Sequence, residues 1–549
     1  MPLGVCLYFR AGSFPGAAHR AAAGAQRRGS TRTEAQLAAQ QEQLRNLTKT
    51  IQQQQQAIEK LTVPSETKQA ENDTALPPGN QVASTTPMVP PDPADSDSQK
   101  PVPAAPAAQS TTPVSPLQLK IGNATLTPVG FMDMTAVFRS TNVGSGIGTN
   151  FGSIPLSNTT QGKLTETRFS AQNSRVGFRF DSDTHGAKVL GYLEADFLGN
   201  APSNLVVGSN SDTLRMRLYY LDVQKNGWEF LGGQSWSMLT PGRKGISPLP
   251  GNIFYSQNMD TNYQVGLVWS RDPQFRVVYH PSDTVAMGLS LENPEQYIGG
   301  SSGAGATTLP SGLASAYGSQ LDSGSSSSTP NMSPNVIGKI ALDPQFGKGN
   351  LHFEAAGLLN TFRLYNPATL QHFSAAGGGG SVNVIYSPVK NFRLLSLNYW
   401  SDGGGRYLFG LAPDLVVRAD GSPSLVHAGS TIDGFEYQKG NSAIAAYYGG
   451  LYIGRNVVID PATGKLVGYG FSGSGTNNNR TIQEATIDYT RTLWKDAKWG
   501  SISMIMQYSY LTRDPWYVAA GIPSNASTNM AFFDLRYTLP GSAPAGAIQ

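Results

Sequence analysis

Residues 213–237 read Thr-Leu-Arg-Met-Arg-Leu-Tyr-Tyr-Leu-Asp-Val-Gln-Lys-Asn-Gly-Trp-Glu-Phe-Leu-Gly-Gly-Gln-Ser-Trp-Ser. Two alternating runs flank a Lys-Asn-Gly turn, the pattern of a β-hairpin. Successive strand side chains point to opposite faces, so Leu214, Met216, Leu218 and Tyr220 are expected on one face and Arg215, Arg217 and Tyr219 on the other. One wall is apolar and the other cationic. No helical segments follow that could cover a large sheet, so the whole chain has to decide between a soluble sheet and a barrel in lipid.

Composition separates the two. Only 14% of the 549 residues are charged, against roughly 25% in an average soluble domain, and there are 61 glycines to supply turns. No stretch approaches the roughly 20 consecutive apolar residues of a membrane helix. Alternating strands hide half their hydrophobicity, so a membrane barrel is compatible with the mean hydropathy of -0.26. A net charge of +3 is too small to point to nucleic acid. Cys6 stands alone, so neither an internal disulfide nor a cysteine metal site is expected.

The N-terminal fifth has a different organisation. Residues 1–32 show no apolar signal core and are interrupted by Arg10, Arg20, Arg27, Arg28 and Arg32. Within residues 33–62 a seven-residue period places Leu37, Leu44, Ile51 and Ile58 at one seam position. Gln40, Leu47, Gln54 and Leu61 occupy the other. An oligomerising coiled coil is expected there, ended by Pro64. Residues 63–117 are rich in Pro, Ala, Ser and Thr and read as an extended linker.

From residue 118 to 540 strand-like runs alternate with turns. They cover 131–139, 168–181, 187–198, 213–224, 227–236, 263–270, 274–281, 284–292, 335–342, 351–361, 377–386, 391–401, 430–438, 441–452, 480–491, 498–511 and 529–539. This makes seventeen, and a barrel whose ends meet on one side of a membrane needs an even number. Short connections near 181–186, 225–227, 281–283, 344–349, 387–391 and 439–441 are expected on the inner side. Long connections over 140–167, 237–262, 293–334, 402–429 and 454–479 are expected outside. The alternation holds if residues 263–281 form one strand bulged near Asp272-Pro273, which gives sixteen. A barrel of that size encloses an aqueous channel. At the C-terminus Phe533, Leu535, Tyr537 and Leu539 alternate with Asp534, Arg536 and Thr538, lipid-out and water-in, before a tail at 541–549.

The runs Ser174-Arg175-Val176-Gly177-Phe178, Gly191-Tyr192-Leu193-Glu194-Ala195-Asp196-Phe197, Leu214-Arg215-Met216-Arg217-Leu218 and Gly233-Gln234-Ser235-Trp236-Ser237 resemble the DcaP-like outer-membrane porin family. The resemblance is specific over residues 168–292 and architectural beyond them. It implies a trimeric sixteen-stranded channel for small anions such as dicarboxylates, with a periplasmic coiled coil ahead of the barrel. Expected partners are therefore outer-membrane lipid, small anionic solutes and two further copies, with the periplasmic segment able to reach the cell wall.

Selectivity in such a barrel is set at its narrowest point. The connection after the fifth strand, carrying Arg243 and Lys244, is expected to fold inward as a constriction loop. Alternation places Arg175 and Arg179, Arg215 and Arg217, and Arg276 on the inner wall, an arginine ladder suited to anions. Glu194 and Asp196 lie between the second and fourth strands and can pair with it, which would make the ladder scaffold. Thirty basic against twenty-eight acidic residues follow Leu117, so net charge does not decide.

Catalytic and cofactor signals are poor. The histidines at 19, 185, 280, 352, 372 and 427 never take zinc-protease spacing. His280, beside Pro281, reads as a turn residue. The Gly-x-Ser-x-Gly match at 299–303 and the Gly-x-Gly-x-x-Gly match at 468–473 fall in loops without the strand and helix those motifs require. No cofactor, metal or catalytic residue is expected. The alternatives to a passive porin are an anchor tying barrel to cell wall through the coiled coil and a lipid-hydrolysing barrel enzyme. The latter would need a Ser-His pair on the outer wall.

Overall fold

The computed structural model describes residues 115–199, 212–323, 330, 331 and 333–541. Residues 1–32, the expected coiled coil, most of the linker and the tail beyond residue 541 lie outside the described residues.

Sixteen strands succeed one another: β1 (Ala124–Arg139), β2 (Glu166–Ser170 continued by Arg175–Thr184), β3 (Ala187–Asp196), β4 (Arg215–Lys225), β5 (Trp228–Trp236), β6 (Arg271–Ser282), β7 (Val285–Glu292) and β8 (Asn335–Leu342). The second half holds β9 (Gly349–Asn366), β10 (Gln371–Val389), β11 (Phe392–Asp402), β12 (His427–Lys439), β13 (Ser442–Ile453), β14 (Asn479–Asp496), β15 (Gly500–Pro515) and β16 (Ala526–Thr538). Each pairs antiparallel with the next. The sheet closes because β1 pairs with β2 along its length and with β16 from Phe131↔Thr538 to Arg139↔Met530. Closure removes both edges and leaves every ladder group paired within the wall, as a lipid environment requires.

Alternation sorts the wall. On β16, Phe533 and Leu535 are exposed on the outer surface while Asp534 and Arg536 are buried inside, as the sequence indicates. Aromatic side chains separate the same way. Trp228, Trp400 and Trp499 are exposed outside, whereas Trp236 and Trp269 pack edge-to-face against Tyr263 in the interior. Tight connections such as Asn226-Gly227 share one rim, and the long loops share the other.

Two expectations are corrected. Residues 263–270 are not strand: β6 begins at Arg271 and its register with β5 runs unbroken through Asp272 and Pro273. Sixteen strands result because the seventeenth run belongs to the loop, not because two runs merge. The second correction concerns β4. A bulge lies between the pairs Glu194↔Leu218 and Ala195↔Met216, with Arg217 as the additional residue. An extra residue reverses the facing of all that follow. Leu218 (0% exposed) and Tyr220 (4%) therefore point inward, while Met216 (54%), Tyr219 (58%) and Leu221 (52%) point outward.

The interior is filled by loops. Residues 237–270, here loop 3, carry Met238, Leu239, Ile246, Met259, Val265 and Val268 into an apolar cluster. The same cluster holds Ile147 and Phe151 from the first loop and Tyr407 and Leu411 from the connection after β11. Loop 3 is thereby fixed between the walls by side chains apolar enough to need burial.

Candidate functional site

Loop 3 crosses the barrel and is pinned by its backbone. The Met238 N–H donates to Glu292 on β7 (2.8 Å), the Gly242 N–H to Glu354 on β9 (3.0 Å) and the Gln257 N–H to the Tyr447 hydroxyl on β13 (3.0 Å). The Val265 N–H donates to Glu484 on β14 (3.0 Å), and the Met259 N–H donates to Gln507 on β15. On the return limb Gly266 has φ +90°, and a Cβ there would meet the Thr431 carbonyl oxygen of β12 at 2.6 Å. Only glycine lets the backbone run this close to the wall.

Arg243 is placed by the loop but does not project as a free cation. Its guanidinium donates to both oxygens of Glu436 on β12 (2.8 Å each) and to the Tyr255 carbonyl, and lies over Phe254. Arg393 on β11 shares Glu436 at 3.0 Å. Burial alone would lower the pKa of Arg243, but the Glu436 charge outweighs it and holds it above the usual value. Lys244, in contrast, is exposed and lines a cavity of about 950 Å³ at the turn-side rim, together with Lys188, Lys225 and His280.

All the arginines expected inside are inside. Arg217 is 3% exposed and bonds Glu194 (2.5 Å) and Asp196 (2.9 Å), with the Tyr263 hydroxyl at 3.2 Å. The bulge that flips Leu218 is also what brings Arg217 between these two carboxylates. Arg215 donates to both Asp196 oxygens at 3.0 and 2.8 Å and remains partly exposed. Arg175 approaches Glu194 to 3.8 Å and lies over the Phe131 ring. Further down the wall Arg179 pairs with Asp181 (2.6 Å), and Arg276 with Glu229 (3.1 Å). Arg175, Arg215 and Arg217 thus each lie within ion-pair distance of Glu194 or Asp196.

One cation escapes that pairing, and the sequence reading did not single it out. Arg271, at the start of β6, has no carboxylate within ion-pair distance among the described residues, and its buried Nη1 has no hydrogen-bond partner. Its guanidinium lies 5.5 Å from the centre of the Trp236 ring, the same ring Arg217 approaches at 5.6 Å. Arg215 and Arg217 are paired with Glu194 and Asp196, and Arg271 lies beside them over the same indole. Across the barrel, Glu484 and Asp488 of β14 are buried with no cation bonded to them among the described residues.

The described histidines with polar contacts face carboxylates. His280 lies 3.3 Å from Glu229 at the end of β6, His352 sits between Asp343 and Glu354, and His427 is 3.3 Å from Asp402.

No protein-family model and no curated protein sequence matches the chain. Solved structures do. The outer membrane channel DcaP of Acinetobacter baumannii aligns with a TM-score of 0.55 at 18% identity, over 76% of this chain and 99% of that one. An anion-selective porin from Comamonas acidovorans aligns at 0.42 and 11% identity, over 76% of this chain and 100% of that one. OprB of Pseudomonas putida aligns at 0.41 and 11% identity, over 75% and 94%. The resemblance read from residues 168–292 holds at the level of the fold: the chain has the sixteen-stranded barrel of the DcaP outer-membrane channel.

Proposed function

We propose that the chain is an outer-membrane porin for passive diffusion of small hydrophilic solutes, with a preference for anions. The observation that carries the reading is Arg271, a guanidinium beside loop 3 with no carboxylate within ion-pair distance among the described residues. A guanidinium without a carboxylate partner in a polar lumen is an open place for a passing carboxylate. Neighbouring arginines let the anion exchange partners rather than stay bound. Dicarboxylates suit the arrangement because Arg215 and Arg271 provide two donors on one wall. The carbon stem of such a solute would pass the aromatic cluster of Trp236, Tyr255 and Tyr263. Trimeric assembly, with the segment before the barrel as a periplasmic coiled coil, completes the proposal.

The test is the reversal potential of the purified protein in a planar bilayer under a potassium chloride gradient. An anion-preferring potential is expected, and Arg271→Ala with Arg215→Ala should bring it towards zero. A cation-preferring wild type would overturn the anion reading. Stepwise closures in threes would support the trimer.

A further inference from the structure

The tip of loop 3 is held by two carboxylates that share one imidazole. Asp343 lies in the turn after β8, and its Oδ2 accepts the Gly245 N–H at 2.9 Å while its Oδ1 lies 2.8 Å from His352 Nδ1. Glu354 of β9 accepts the Gly242 N–H at 3.0 Å on Oε2, the oxygen that also lies 3.3 Å from His352 Nε2. Lys339 of β8 bonds that oxygen at 2.8 Å and donates to the Thr240 carbonyl at 2.9 Å. Asn383 of β10 donates to the remaining Glu354 oxygen at 2.8 Å. His352 itself is 4% exposed.

Both ring nitrogens of His352 face carboxylate oxygens, and only the protonated ring donates from both. We propose that His352 is a proton-dependent positioning residue for the tip of loop 3, pinning Gly242 and Gly245 through Glu354 and Asp343. When the ring loses its proton, one nitrogen presents a lone pair to a carboxylate, and the two repel. The weaker arm is then Asp343–Gly245. Glu354 keeps Lys339 and Asn383, whereas Asp343 has no cation other than the ring within ion-pair distance among the described residues. Arg276 of β6 and Glu292 of β7 are the further charged groups buried in the neighbouring wall. Pinning is therefore complete at low pH and is lost as pH rises through the titration of the ring. Arg243 stays bound to Glu436 throughout, so the expected motion is a loosening of the tip, not a release of the loop.

The proposal depends on the channel reading only for its electrical readout, so the primary test does not use current. Hydrogen exchange of the full chain folded in detergent, corrected for the intrinsic pH effect, reports protection of residues 240–253. Protection in the wild type is expected to fall about tenfold from about pH 6 to about pH 9, the scale of one hydrogen bond to a charged group. His352→Ala should show the low value at both pH values. Asp343→Asn should show the high value at both, because an amide can accept from Gly245 and also donate to the neutral ring. Equal wild-type protection at the two pH values, or a wild-type fall retained in Asp343→Asn, would overturn the latch. In bilayers the same transition should appear as added current noise at high pH. A protein that does not conduct at all would count against the porin reading and leave the exchange result standing.

Discussion

Arg217 and Arg271 lie against one indole ring and differ in what their charges meet. Arg217 bridges Glu194 and Asp196, both buried. Removing one partner of a buried pair leaves the other charge uncompensated, which typically costs about 3–5 kcal/mol. Arg217→Met is therefore expected to lower the urea midpoint of the folded barrel strongly. Arg271→Met removes a cation that compensates no carboxylate and forfeits only its position over Trp236, worth about 1 kcal/mol or less. Measuring both midpoints in the same lipid tests the distinction. A loss for Arg271→Met equal to that for Arg217→Met would mean that Arg271 carries structural charge. It would then not be an open anion position. At this scale the sequence was informative about side and silent about partners. Alternation assigns Arg175, Arg179, Arg217 and Arg276 to the interior, but no single-chain pattern predicts that Arg271 lacks a carboxylate partner.

Among the elements, the strands that contact lipid on one face were legible because one side is apolar and the other polar, as on β16. Residues 263–270 misled for a physical reason. Val265, Leu267 and Val268 are all buried because the segment lies inside the barrel, covered on every side, and burial on both faces erases the distinction between strand and buried loop. The β4 bulge was equally hidden, since Leu218 and Tyr220 are as apolar as lipid-facing residues and only their pairing with β3 shows that they point inward.

The connection after β11 gives an element-scale prediction outside the membrane wall. Burial pushes the Asp414 carboxyl up to about 7, against the opposing charge of Arg406. One of its oxygens accepts the Arg406 N–H at 2.9 Å, and its backbone N–H donates to Tyr297 of the preceding long loop. A carboxyl whose folded pKa is raised favours the folded state fully below its unfolded value, near 4, and loses that contribution as pH rises through about 7. Hydrogen exchange over residues 403–426 should accordingly show weaker protection at pH 8 than at pH 5, after correction for intrinsic rates. Asp414→Asn should flatten the difference. This region and the tip of loop 3 lose protection in the same direction, so only the single variants separate them: Asp414→Asn must leave residues 240–253 unchanged.

At the scale of the whole molecule, the barrel carries nearly balanced charge, and any selectivity comes from where the charges lie. Arg215, partly exposed, and Arg271, with no carboxylate within ion-pair distance among the described residues, place positive charge on one side of the interior. Salt screens a field of this kind according to distance. The Debye length is about 10 Å at 0.1 M and about 3 Å at 1 M, so the partly exposed Arg215 acts across the lumen only in dilute salt. Anion preference should then decline several-fold between 0.1 M and 1 M potassium chloride, and Arg215→Ala should remove most of that dependence. A preference that persists unchanged at 1 M would mean that anions are selected by direct contact with a desolvated guanidinium. In that case Arg271→Ala, rather than Arg215→Ala, should abolish it. Comparing the two variants at both salt concentrations therefore separates long-range steering from contact.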